Sequence, residues 1–305
     1  MAKQNTKHIE FTDVALASAD IESYCTCLQG TVYNGFWWYL ESSSGKKRFS
    51  LPFRTEDGTW WYQVKPGLCW PVDVLTQVAK RPRLPLVKSY LGFQCTAGKG
   101  LRNSVQIINT IEDISLYSEK YINSKRRGKI RKGSRMCDIE LIKSIDYDLV
   151  AGAAGLWNDF VKRTGWKKPL SQEFFSKSWG ELLSLPGSNI MIARSKEDRM
   201  IAGFLISKLL GDTAFIDTIA SDSKYLSHNV NDIMMYSFIN SAKKVNGITK
   251  AHYAIKSYDD KLETFKKSIG FTESVYPSLT HLRPGVGMLL KLLSPRNYNR
   301  LYGKF

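Results

Sequence analysis

The chain has 305 residues, enough for two domains that each bury a core of their own. With 43% hydrophobic and 12% aromatic residues and no low-complexity tract, the disordered and fibrous classes are excluded. A net charge of +16 calls for an anionic partner and leaves RNA, a nucleotide-linked substrate, an acidic cofactor or an acidic membrane surface open.

No apolar run approaches the roughly 20 residues that cross a bilayer, and Met1 to Asp20 lacks the apolar stretch of a leader. A cytoplasmic protein without a transmembrane segment, with peripheral membrane contact left open, is the expectation. Five cysteines, Cys25, Cys27, Cys69, Cys95 and Cys137, form no CxxC pair and read as free thiols. His8, His228, His252 and His281 lack ligand spacing, so no metal site is expected.

From Gly35 to Val64 the chain is aromatic and extended, with Phe36 to Leu40, Arg48 to Phe53 and Trp60 to Tyr62 as strands of an antiparallel meander. Neighbouring aromatics on a strand point to opposite faces, which favours a core over a stacking platform for bases or sugars. Leu68 to Lys80 reads as a helix, Leu86 to Thr96 and Ser104 to Thr110 as strands, and Gly98-Lys99-Gly100 as the turn between them. Ile114 to Ser124 is helical in pattern. It runs into Lys125 to Arg135, where seven of eleven residues are basic, a solvated face or a nucleic-acid patch. Ile139 to Ile142 is a strand, and the connector Ser144 to Asp148 marks the boundary, dividing the chain into 1–146 and 147–305.

Leu149 to Thr164 and Ser171 to Leu183 read as helices, the second with Ser171 as its N-cap, and Asn189 to Arg194 as a strand. Ile201 to Leu209 and Thr213 to Ile219 form a hairpin about Gly211-Asp212. Val230, Ile233, Met234, Ser237, Phe238 and Ser241 recur at helical spacing up to the stop at Gly247. A strand over Ile248 to Ile255, a short helix over Asp259 to Ser268 and the Gly270-Phe271 restart complete the order. Val286 to Leu293 is an apolar helix, followed by a tail with Arg296, Arg300 and Lys304 among aromatics, read as packed with a solvated end.

This order of hairpin, helix, strand, short helix and Gly-Phe resembles the second half of the GNAT acyltransferase fold. Phe265-Lys266 followed by Gly270 is similar to the mark of the FemAB-like group, which builds peptidoglycan bridges. Arg127, with Ile130-Arg131-Lys132 on a helix before a strand, is similar to a second pattern of that group. The resemblance implies an α/β fold, an α+β mixed sheet, with two GNAT-like lobes side by side, the N-terminal one more divergent. It implies acyl or aminoacyl transfer to an amine of a cell-wall, polysaccharide or peptide precursor.

The resemblance carries Phe265 and Lys266 into the cleft and makes Arg127, Arg131 and Lys132 candidates for an anionic acceptor or for tRNA phosphate. Asp217 and Asp222 are the general-base candidates, although a cap or an ion pair is the plainer account of each. Tyr253 and Lys256 are further substrate-binding candidates, and His252, on the opposite strand face from Tyr253, reads as structural. No bound cofactor is expected. The donor is aminoacyl-tRNA or acyl-CoA; Ala220 to Asn229 has no glycine where CoA-dependent GNAT enzymes wrap the pyrophosphate. The partners expected are that donor, an anionic amine-bearing precursor and tRNA. Two alternatives stand beside this reading: a CoA-dependent GNAT N-acetyltransferase, and a non-catalytic RNA-binding protein using Lys125 to Arg135.

Overall fold

The computed structural model describes residues 13–30, 51–165 and 168–304. The expected strand over Phe36 to Leu40, and the start of the next at Arg48 to Ser50, lie outside them. Two compact units emerge, each assembled from separate stretches of chain. The first comprises Ile111–His252 and Thr264–Phe271 with the segment up to Ser18. The second comprises Ala19–Thr110, Tyr253–Glu263 and Thr272–Phe305.

The second unit opens with helix α1 (Ile21–Gly30) and strands β1 (Phe53–Arg54), β2 (Trp60–Lys65), β3 (Leu68–Pro71), β4 (Gln77–Val78), β5 (Gly92–Ala97) and β6 (Ser104–Ile111). Trp60 and Trp61 point to opposite faces and both are buried. Each indole N–H is satisfied, Trp60 donating to Glu22 at 2.8 Å and Trp61 to the Thr55 hydroxyl at 3.2 Å. Trp60 and Trp61 are core. Leu68 to Lys80, expected as a helix, is β3 and β4 instead, because Trp70 and Pro71 are claimed by β2 and Cys69 by β5 before a helical turn can close.

In the first unit, Ile114 to Ser124 also departs from the expected helix. Asp113 accepts the Ser115 N–H and Asn123 accepts the Arg126 N–H, so two short 3-10 turns precede a helix, α2 (Ser124–Met136), that starts at the basic run itself. Then come β7 (Cys137–Leu141), α3 (Tyr147–Thr164), α4 (Gln172–Ser184), β8 (Ser188–Ser195), β9 (Ile201–Leu210), β10 (Thr213–Ser221), α5 (Val230–Ala242), β11 (Lys250–Ile255) and α6 (Asp260–Ser268). Strands β7 to β10 are antiparallel neighbours, and β10 pairs β11 in parallel, as a helical crossover through α5 requires. All ten residues of β9 are buried, because helices cover both its faces. On one side Phe204 meets Trp179 edge-on at 5.4 Å and Trp157 at 6.3 Å, from α4 and α3. On the other, Gly203 admits α5 so closely that a Cβ there would lie 2.5 Å from Val230 Cγ1.

The chain then returns to the second unit. Strand β12 (Thr272–Leu282) lies antiparallel between β5 and β6, and helices α7 (Val286–Leu293) and α8 (Pro295–Leu301) follow. A buried polar ladder fixes it: Gln94 donates to the Thr280 hydroxyl at 3.0 Å, Ser104 and Thr280 share a bond of 2.9 Å, and Thr280 donates to the Leu301 carbonyl at 2.9 Å. The units therefore do not follow a single cut near residue 146. The slot between β5 and β6 is filled by the C-terminal part of the chain.

Helix α2 contains two glycines with opposite demands. A Cβ on Gly133 would meet Ile233 Cβ on α5 at 2.8 Å, whereas one on Gly128 has nothing within 4 Å. Gly133→Ala is expected to cost about 1–3 kcal/mol by overpacking, and Gly128→Ala to add about 0.5–1 kcal/mol through helix propensity. Urea unfolding of both variants measures the two signs.

Candidate active site

Parallel pairing of β10 with β11 covers three positions, Thr213 with Lys250, Ala214 with Ala251 and Phe215 with His252. Strand β10 runs on to Ser221 against β9, with its register irregular between Ile216 and Thr218, at Asp217. Past Phe215, then, β10 is paired with β9 alone.

Charged groups gather where this pairing ends. Lys208 of β9, Phe215 of β10 and His252 of β11 are cross-strand partners in one row. Directly opposite residues share a face, so all three project to the same side. The Lys208 ammonium sits 5.7 Å over the Phe215 ring and 3.6 Å from Asp217 Oδ1, and the Phe215 and His252 rings are 5.3 Å apart. Asp217 keeps 22% of its side-chain surface, so it sits deep but still touches solvent. Burial pushes its carboxyl above the usual range, and Lys208 partly offsets that.

Lys266, which beside Lys267 would pass for a solvated helix residue, is only 1% exposed, while Lys267 is exposed. Its charge is felt at His252. Burial, with the Lys208 and Lys266 charges adding to it, lowers the imidazole pKa to about 3. The Lys208 and Lys266 side chains, the Asp217 carboxyl and a neutral His252 imidazole thus lie in one buried region of the unit.

Several candidates are engaged elsewhere. Phe265 faces the Arg126 guanidinium at 5.1 Å, and Arg126 in turn pairs with the buried Asp232 of α5. Burial raises the Asp232 carboxyl and Arg126 draws it back down. Arg127 donates to the carbonyls of Ile122 at 2.6 Å and Glu119 at 3.2 Å, and Arg131 pairs with the Glu119 carboxylate at 3.2 Å. Lys132 is exposed. Asp222 caps the turn after β10 by accepting the Lys224 N–H at 2.8 Å. Tyr253 and Lys256 belong to the second unit, where burial and Glu263 push the Tyr253 phenol up and Glu273 holds the Lys256 ammonium at 2.8 Å. Among the described residues, no group of His, Cys, Asp and Glu is placed to hold a metal ion.

Sequence reasoning passed over Lys208 and set His252 aside. A signal for Lys208 was present, since it is the only charge in the apolar strand Ile201 to Leu210, and a buried charge in such a strand must have a partner. His252 had none, because its place depends on the β10 and β11 register.

No known protein-family model matches the chain, and no curated protein matches it in sequence. Solved structures do. The C-terminal domain of a putative lysylphosphatidylglycerol synthetase from Agrobacterium fabrum superposes with a TM-score of 0.54 at 11% identity, over 80% of this chain and 87% of that one. The L-PGS of Bacillus licheniformis gives 0.53 at 11% identity, over 96% of this chain and all of that one. FemX gives 0.52 at 9% identity, over 89% and 98%. What is shared at such identities is the fold, a mixed α/β fold like that of FemX.

The His252 pKa has a consequence for stability. Unfolded, the imidazole titrates near its ordinary 6.5; folded, near 3. Between those values the unfolded chain binds the extra proton, so stability contributed by this group is complete above pH 6.5 and is lost as pH falls towards 3. The slope from one proton reaches about 1.4 kcal/mol per pH unit. His252→Gln is expected to flatten this limb in unfolding curves taken from pH 7 to pH 4, with the wild-type curve as reference.

Proposed function

We propose that the first unit catalyses acyl or aminoacyl transfer to an amine, with the end of the β10 and β11 pairing at Phe215 and His252 as the place where the two reactants meet. The observation that carries the reading is the row at the end of the β10 and β11 pairing, where the Asp217 carboxyl, raised by burial, lies 3.6 Å from Lys208 and the buried Lys266 acts on His252. Asp217 is the general base: it takes the proton of the attacking amine as the new C–N bond forms. Lys208, 3.6 Å away, partly offsets the burial that raises that carboxyl. Lys266 supplies positive charge for the oxyanion of the tetrahedral intermediate, together with backbone N–H groups on the edge of β10. The intermediate collapses with loss of the donor's hydroxyl or thiol as the leaving group.

Between donors, the start of α5 favours aminoacyl-tRNA over acyl-CoA. A pyrophosphate held by a helix N-terminus needs close-approaching backbone and no opposing charge. Here the preceding loop has no glycine, is folded into a 3-10 turn over Ser223–His228, and Asp232 places a carboxylate in the first turn. The basic surface fits a tRNA as well. The acceptor in this reading is an anionic amine-bearing precursor of a cell-wall polymer, polysaccharide or peptide, with the exposed Lys132 as the remaining candidate contact on α2. A purely RNA-binding role is less favoured, since Arg126, Arg127 and Arg131 are committed to partners within the unit.

Lys266→Met keeps the buried stem and removes the charge, and Asp217→Asn keeps shape and removes the base. Each is expected to lower transfer by about 10²-fold or more, with circular dichroism unchanged. The assay offers charged tRNA and acyl-CoA separately to a panel of amine acceptors and reads the product mass. Wild-type turnover in both variants would remove these residues from the chemistry, and product from acyl-CoA alone would reverse the choice of donor.

A further inference from the structure

Helix α7 departs from what an apolar terminal helix should do. Its half-buried residues, Val286 and Leu290, are four apart and form the inner stripe. Met288, Leu289, Leu292 and Leu293 form the outer one, and they are 71%, 56%, 73% and 76% exposed. Neighbouring chain extends this apolar surface. Arg283, just ahead of α7, donates its backbone N–H to Leu91 at 3.0 Å and its guanidinium to the Ser89 carbonyl at 3.4 Å. This seats the loop that carries the exposed Leu86, Val87 and Tyr90 beside the start of the helix. Arg81 of the same loop contacts His281 at 2.8 Å.

The two stretches that form this surface carry charge of one sign. Residues 80–91 and 283–304 together contain nine Lys and Arg and no Asp or Glu. Arg81, Arg83, Lys291 and Arg296 among them are exposed. We infer that α7 and the 80–91 loop form a docking face for an anionic lipid bilayer, the outer stripe entering the acyl boundary and the surrounding cations meeting the headgroups.

Two other occupants fit less well. The exposed side chains are mainly aliphatic, and bases stack on aromatic rings. A second copy of the face would set cations against cations. An interfacial helix needs an apolar face, basic flanks and an anionic surface, and all three requirements are met by a bilayer. The inference is independent of the transfer chemistry, because none of these residues lies in the first unit.

The test is flotation of the full chain with vesicles of phosphatidylcholine alone and of phosphatidylcholine mixed with phosphatidylglycerol, comparing wild type with Leu292→Asp/Leu293→Asp. Both leucines are exposed, so an unchanged melting curve is expected for the variant. Binding at least tenfold stronger to the anionic vesicles, weakened by salt and reduced at least tenfold in the variant, is the expected result. Equal binding of variant and wild type, or no vesicle binding, overturns the inference. So does light scattering that shows a dimer abolished by the substitutions without any vesicle binding, which would assign the face to a second copy.

Discussion

The constraint on which the first unit depends is the short parallel pairing of β10 and β11. Three residues on each strand are in register and there the pairing ends. Its end coincides with the irregular register at Asp217 and with the row formed by Lys208, Phe215 and His252. Charged groups are expensive to bury, and here Lys208 lies 3.6 Å from Asp217, which still touches solvent.

The basic run that stands out along the chain turns out to serve packing as much as binding. Arg126 joins Asp232 of α5 to Phe265 of α6, while Arg127 and Arg131 fasten α2 to the turns before it. Guanidinium suits this work because its several donors can satisfy carbonyls and carboxylates at once. Gly133 allows α2 close enough to α5 for these contacts. What remains outward is a thinner cationic face than the composition suggests.

The second unit is closed by the far end of the chain. Strand β12 brings Thr280 against Gln94 and Ser104, and α8 contributes the Leu301 carbonyl to the same buried network. A buried network of this kind stabilises only when its members are satisfied together, so the N-terminal strands and the C-terminal segment form one cooperative structure. Helix α7, between β12 and α8, is carried on that structure with its outer apolar stripe uncovered.

The local readings that succeeded rested on local physics. The Ser171 cap, the hairpin about Gly211 and the period of α5 are set by neighbours within a few residues, and each is present, whereas α5 ends at Ala242 with Lys243 as its C-cap, ahead of the expected stop at Gly247. The order of those elements, with Phe265-Lys266 and Gly270, was enough for the fold type. Readings failed where a distant strand outbid a nearby helix, as at Leu68 to Lys80, or where Asp113 and Asn123 drew the backbone into turns. Asp217 and Lys266 stand out as candidates in the sequence, whereas the row that sets Lys208 and His252 on either side of Phe215 does not. By itself the sequence determined the elements and their order, because hydrophobic period and capping act over one or two turns. Only the tertiary structure decided the burial of Lys266, the row across three strands and the closing of the N-terminal sheet by β12. Each of these depends on strand register between residues far apart in the chain.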